Sequence, residues 1–144
     1  MIRRSVSAGV ATAAGLVCLA APLSSQATVA AYPTAPFEVR HGNTYAVGTV
    51  TFFNRGVTAY TSVRSVDPGD CRFVRVEALN PQGHQIDATA VDESPVVCGE
   101  DLPWAVEVPA NVAGGAASVR VNLMAYNSVT GAIKFIVSQR VFPS

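Results

Sequence analysis

The stretch Ser118-Val119-Arg120-Val121-Asn122-Leu123-Met124-Ala125-Tyr126 decides the fold class, because its residues alternate between two kinds. One set is small and apolar: Val119, Val121, Leu123 and Ala125. The other set is polar or large: Arg120, Asn122, Met124 and Tyr126. Successive side chains of a β-strand point to opposite faces, so this alternation predicts a strand with one buried face.

A second alternating stretch follows the turn-forming residues 127–131. The residues expected to face inward are Ile133, Phe135 and Val137, with Lys134 and Ser138 outward. In an antiparallel hairpin, directly paired residues point to the same face. Because both inward sets are odd-numbered, an odd number of residues must lie between any two partners, so the loop has an odd length. A loop of three or five residues would pair Leu123 with Phe135 and Val121 with Val137.

Another hairpin is predicted around Asn54-Arg55-Gly56. The inward residues before the turn are Ala46, Val50 and Phe52, and those after it are Val57, Ala59, Thr61 and Val63. Even numbers facing odd numbers require an even loop, which a two-residue turn at Arg55-Gly56 would supply. That turn would pair Phe52 with Ala59 and Val50 with Thr61.

Further strands are predicted at residues 37–41, 72–79, 85–91 and 102–108, separated by turn-forming Pro, Gly, Asn and Asp. In the last of them Trp104 shares a face with Leu102 and Val106, which favours a core position. Seven or eight short strands with frequent turns predict an all-β domain. We expect a single antiparallel β-sandwich, immunoglobulin-like in outline, with no helix of consequence.

The first thirty residues have the pattern of a secretory signal peptide. Arg3 and Arg4 precede an uncharged, Ala-rich and Leu-rich stretch that ends in small residues. We therefore expect a cleaved signal over 1–30, a flexible leader over 31–36 and the sandwich over 37–144. The alternatives are a membrane anchor, a twin-arginine signal and, through Cys18, a lipoprotein.

Composition excludes several classes of protein. The 144 residues include 10 basic and 10 acidic side chains, 49% are hydrophobic and 14% are charged. Such a chain is too apolar for intrinsic disorder, and it lacks the basic excess that nucleic-acid binding requires. No apolar run after the signal is long enough to span a membrane. The signal and the Arg-rich composition are typical of small exported bacterial proteins, so we expect the protein to be secreted and extracellular.

Two cysteines remain after removal of the signal, Cys71 and Cys98. In an oxidising compartment an isolated pair is expected to form one disulfide bond. Six of the ten carboxylates flank these two cysteines: Asp67, Asp70, Asp92, Glu93, Glu100 and Asp101. Loops rich in oxygen can hold Ca²⁺, so these residues are a speculative calcium site. The alternative is solvated loop charge, and no other cofactor is expected.

Five side chains are candidates for a partner-binding or glycan-binding face, because their patterns place them off the core: Tyr45, Phe53, Tyr60, Met124 and Tyr126. The first three should share one hairpin face with Thr49, Thr51 and Ser62. Such a face would bind a cell-envelope polysaccharide, an extracellular protein or a second copy of the chain, or would pack under a loop.

No catalytic motif is found, and the only histidines, His41 and His84, are expected in solvated turns. The sequence therefore favours a non-catalytic extracellular binding or envelope-associated domain. One alternative is a secreted protease inhibitor that presents the disulfide-tied segment 92–103. Another is a small hydrolase whose site has no recognisable motif.

Overall fold

The computed structural model describes residues 31–90 and 93–144, which form two packed antiparallel sheets. The expected signal peptide and Asp92 lie outside the described residues. The strands are β1 (Thr34–His41), β2 (Thr44–Phe53), β3 (Gly56–Arg64), β4 (Cys71–Leu79), β5 (Gln85–Ala88), β6 (Asp101–Pro109), β7 (Ser118–Tyr126) and β8 (Ile133–Val141). Sheet A has the order β1-β2-β3-β6, and sheet B has the order β5-β4-β7-β8. The predicted β-sandwich is confirmed.

The core lies between the inner faces of the two sheets. Sheet A contributes inward residues from all four strands, including Val39, Val50, Ala59 and Val108, and sheet B contributes residues such as Val121. Burying this apolar surface is the main force that holds the sheets together. Trp104 lies half-buried against this core, as predicted, and its indole Nε1 is buried without a hydrogen-bond partner.

The first strand begins earlier than the sequence pattern indicates. β1 starts at Thr34, pairs with β2 from Thr34↔Thr51 onward, and buries Ala35 in the core. Pro36 has its partner in Thr49 on the same ladder. The flexible leader predicted over 31–36 is therefore wrong for its last three residues. Proline is compatible with this position because β1 is the edge strand of sheet A.

The β2–β3 hairpin has the predicted faces but a register shifted by two residues. Its loop is Asn54-Arg55, so Phe52 pairs with Val57 and Val50 pairs with Ala59. A shift of two preserves which side chains face inward, because side chains alternate with a period of two. Within this hairpin Gly48 lies unusually close to β3. A Cβ atom at Gly48 would lie 1.9 Å from the carbonyl oxygen of Tyr60.

The β7–β8 hairpin departs from prediction in its loop, its register and the faces of β8. The loop has six residues, and the Asn127 side-chain oxygen accepts the amides of Val129 and Thr130. A bulge then inserts Ile136 between the pairs Met124↔Phe135 and Leu123↔Val137. The bulge reverses the faces of the residues before it. Ile133 and Phe135, predicted to face inward, are consequently exposed.

The free side of β4 is covered mainly by residues 89–90 and 93–98 rather than by a full strand. β5 pairs only with the end of β4, from Glu77 to Leu79. Nearer its start, β4 is bonded by the hydroxyls of Thr89 and Ser94 and by two backbone hydrogen bonds between Arg72 and Val97. This hydroxyl-bonded segment leads directly into the disulfide.

The predicted disulfide between Cys71 and Cys98 is present, with a Cα–Cα distance of 4.3 Å. It joins the first residue of β4 to the chain just before β6, and so links the two sheets at one end of the sandwich. Within residues 31–90 and 93–144 there is no helix with the length and hydropathy that a membrane span requires.

Candidate functional site

The outward residues of β2 and β3 form a surface that we call the sheet A face: Tyr45, Val47, Thr49, Thr51, Phe53, Tyr60, Ser62 and Arg64. Thr58 lies on the same side of β3 but is buried. The three aromatic residues predicted to share a face do so, and Tyr60 is the most exposed of them at 56%. The hydroxyl-bearing residues lie between the aromatic ones. Arg64 is the only charged residue of this set.

Cross-strand pairs extend this surface over all four strands. One row runs Pro36, Thr49, Tyr60 and Ala105, and the next runs Glu38, Val47, Ser62 and Pro103. Charged side chains in these two rows are confined to the edge residue Glu38. A shallow depression of about 530 Å³ lies beside Tyr60, with Val47 and Pro103 in its lining. The surface is thus broad, nearly flat and almost uncharged at its centre.

Neighbouring side chains hold the aromatic residues at the ends of the sheet A face. Tyr32 packs against Phe53 with ring centroids 4.6 Å apart, and the guanidinium of Arg40 lies 4.9 Å from the ring centre of Tyr45. Both contacts cover part of a ring surface. Tyr60 has no such ring or cation contact among the described residues, which leaves it the most open platform for a ligand.

Met124 and Tyr126 do not belong to this surface. They lie on the outer face of sheet B, where Met124 is flanked by Phe73 and Phe135. The two sheets turn their outer faces in opposite directions, so the five candidate residues divide into three on one side of the sandwich and two on the other. The sequence places each of them off the core but does not say which sheet carries it.

The acidic residues near the disulfide are engaged in local contacts. The Asp67 carboxylate accepts the amide of Gly69 at 2.8 Å, and the Glu93 carboxylate accepts the amide of Ala90 at 2.8 Å. Asp70 pairs with Arg72, and Asp101 lies 3.7 Å from Arg64.

No three His, Cys, Asp or Glu side chains in the described ranges 31–90 and 93–144 gather as a metal ion would require. Of the six predicted ligands, Asp92 lies outside those ranges. Glu100 lies within them and is not part of any cluster of three such side chains. The described carboxylates therefore give the calcium prediction no support.

A site that sequence reasoning missed lies at the disulfide end, where the two sheets part. This end cleft has a volume of about 390 Å³ and is lined by His41, Asp70, Arg72, Ala125, Lys134, Phe135 and Ile136. Arg72, Ala125 and Lys134 form one cross-strand row of sheet B. Lys134 was expected to point outward, and the bulge at Ile136 is the reason that it shares this row instead.

Arg72 is the fixed centre of the end cleft. Only 7% of the residue is exposed, and its Nη1 donates to the carbonyls of Asp70 and Cys71 at 3.0 Å each. Its Nη2 donates to the Asp70 carboxylate at 2.5 Å, whereas its Nε is buried without a partner within residues 31–90 and 93–144. The hydrogen bond from Arg72 holds the pKa of Asp70 below its ordinary value. Partial burial opposes this effect, and the charges of Arg72, His41 and Lys134 reinforce it.

The two histidines lie at opposite ends of β4. His41 borders the end cleft beside Asp70, which precedes β4, while His84 lies in the turn after β4, with its amide bonded to Asn80. Among the described residues that line the cleft there is no serine, threonine or cysteine to act as a nucleophile beside His41.

Comparison with protein-family models and with curated proteins finds no match to this chain. The function must therefore be inferred from the chemistry of the sheet A face and of the end cleft.

Proposed function

We propose that this protein is a non-catalytic binding domain that acts outside the cell and contacts an uncharged polysaccharide of the cell envelope through the sheet A face. One observation carries the proposal. The outward side chains of the two central strands are aromatic, aliphatic or hydroxyl-bearing, with Arg64 as the sole charge.

The chemistry of this surface suits sugars. The C–H face of a sugar ring packs on an aromatic ring, while sugar hydroxyls exchange hydrogen bonds with Thr and Ser side chains. The hairpin carries three aromatic rings at regular intervals. Tyr60 of β3 pairs with Thr49 of β2, which lies four residues after Tyr45 and four residues before Phe53. At the usual rise per residue this spacing is about 13 Å. An extended chain lying along the strands would meet one ring after another.

An extracellular location is supported by two features. The disulfide between Cys71 and Cys98 is of the kind that persists in oxidising compartments. The first thirty residues have the charge and hydropathy pattern of a secretory signal.

The alternative functions have less support. The segment 92–103, considered as an inhibitory loop, bonds through Val97 to Arg72, and from Asp101 it is part of β6. A loop that lies along the sheets is poorly placed to enter the cleft of a protease. A hydrolase would need a nucleophile beside one of the two separated histidines.

Co-sedimentation tests the proposal. The purified protein is mixed with cellulose, chitin or peptidoglycan, in calcium and in EDTA, and the pelleted fraction is measured as the polymer is varied. We expect saturable binding to at least one polymer, unchanged by EDTA. Tyr60→Ala should weaken it about tenfold, because the most exposed stacking ring is lost.

Tyr126→Ala is the matched control, since it removes the same side chain from the outer face of sheet B. Thermal melts of both variants establish that they fold. Absence of saturable binding to every polymer, or equal binding by Tyr60→Ala and the unsubstituted protein, would overturn the proposal. In that case protein partners become the next candidates.

A further inference from the structure

The apolar interior ends at the row Arg72, Ala125 and Lys134. The preceding row of sheet B is Val74, Leu123 and Val137, all apolar. His41, the last residue of β1, borders the same opening from sheet A. The sandwich therefore carries, at this end, a layer of basic side chains above an apolar floor.

The charges of this layer do not balance. Among the described residues that line it, Asp70 is the single carboxylate, and it is bonded to Arg72. Among the described residues neither Lys134 nor His41 takes part in an ion pair. Lys134 thus carries a positive charge outside any ion pair, and His41 lies beside it at the opening.

The buried guanidinium makes the layer rigid. Arg72 is held by three donated hydrogen bonds and is nine-tenths buried, so its position does not depend on a ligand. Its Nε lacks a partner among the described residues, which leaves part of a desolvated cation unsatisfied. A desolvated cation with one solvent-exposed carboxylate partner favours further negative charge nearby.

The cleft also has an apolar wall. Ala125 lies between Arg72 and Lys134 in their row, and Ile136 at the bulge is partly buried against the core. A volume of about 390 Å³ is within the usual range for small-molecule sites. A fixed guanidinium and a second cation beside an apolar wall are the features expected of a site for an organic anion.

We propose that the end cleft binds the oxyanion group, carboxylate or phosphate, of a small organic molecule whose apolar part packs on Ile136. The Lys134 ammonium contacts the oxyanion, with Arg72 as the fixed charge behind it and His41 at the rim. This site is separate from the sheet A face and does not depend on polysaccharide binding.

Titration by two-dimensional NMR of the ¹⁵N-labelled protein tests the proposal, with benzoate, phenyl phosphate and the neutral benzamide as probes. We expect saturable shifts of the Lys134 and Phe135 amides with at least one oxyanion and much smaller ones with benzamide. The stronger of the two oxyanions identifies the preferred group. Lys134→Gln should weaken its binding about tenfold, as expected when one charge-assisted contact is lost.

Arg55→Gln is the matched control, because it removes one positive charge at the opposite end of the sandwich, in the β2–β3 loop. Its affinity for the oxyanion should equal that of the unsubstituted protein. Tyr60→Ala should also bind normally, which separates this site from the polysaccharide surface. Equal shifts with benzamide, no saturable shift with either oxyanion, or full affinity in Lys134→Gln would overturn the proposal.

Discussion

Replacement of Gly48 by alanine should destabilise the fold sharply, because β2 and β3 meet there without room for a side chain. The new Cβ would lie 1.9 Å from the Tyr60 carbonyl oxygen and 2.8 Å from the Thr61 Cα, both backbone atoms. Ordinary contact requires about 3.4 Å, so the strands must separate by about 1.5 Å at this point. Since β3 is an interior strand of sheet A, that separation strains its pairing on both sides.

Overpacking of this kind costs about 3 kcal/mol, the upper part of the usual range, because the obstacle is backbone rather than a flexible side chain. For a domain of this size the loss corresponds to a fall in Tm of about 10 °C. Urea unfolding followed by fluorescence measures it directly. Trp104 is the only tryptophan of the chain, and it pairs with Thr61 beside the affected site.

Gly69→Ala is the control substitution, since the nearest atom to its Cβ would be the Asp67 carboxylate oxygen at an ordinary 3.4 Å. It should change the free energy of unfolding by less than about 1 kcal/mol. If Gly48→Ala lost no more stability than Gly69→Ala, the inferred contact between β2 and β3 would be refuted.

Two further predictions concern the disulfide end. Replacing Cys71 and Cys98 by alanine together opens a loop of 28 residues (separation 27). It should cost about 3.6 kcal/mol in the chain-entropy model, read from the urea midpoint. A loss under about 1 kcal/mol would contradict that model here.

Because Arg72 holds the pKa of Asp70 below its ordinary value of 3.8, the pair stabilises the fold above that pH and loses this effect as the pH falls. Asp70→Asn should therefore lower the Tm at pH 7, with the difference shrinking as the pH falls below 3.8. A difference independent of pH would count against the ion pair.

The β2–β3 hairpin shows what the alternation of apolar and polar residues does and does not specify. The inward set Ala46, Val50 and Phe52 and its counterpart on β3 are buried as predicted. The turn was placed at Arg55-Gly56, whereas the loop is Asn54-Arg55. Parity fixes which face is buried, but every shift by two residues satisfies parity equally well, so the register depends on details of the turn.

The prediction for the β7–β8 hairpin was wrong for a different reason. A loop of six residues brings Ile133 opposite Tyr126, which alone would turn Val137 away from the core. The extra residue Ile136 corrects this by forming a bulge, and the apolar residues before the bulge are left exposed. A bulge that compensates for loop length leaves no mark in a hydrophobic pattern, because each half of the strand still alternates.

The end cleft could not be predicted from the sequence, for related reasons. Arg72 lies on the same face of β4 as the core residues Val74 and Val76. In the sequence pattern, a basic residue just before such apolar positions indicates the end of a strand and gives no sign of a binding site. Its partners come from strands distant in sequence, and Lys134 takes its place only through the bulge. The sheet A face was predictable because Tyr60 and Thr49 belong to one local hairpin.

The way in which β4 is covered links the oxidation state of the protein to its solubility. Most of the free side of β4 is bonded by backbone and hydroxyl groups of Thr89, Ser94 and Val97, and the disulfide bond joins the next residue, Cys98, to the first residue of the strand. If the Cys71–Cys98 disulfide were reduced, these residues could separate from β4. The backbone amides and carbonyls on that side of β4 would then be unpaired. Such an edge is a template for pairing with another chain. The disulfide thus guards against intermolecular β-sheet formation as well as against unfolding.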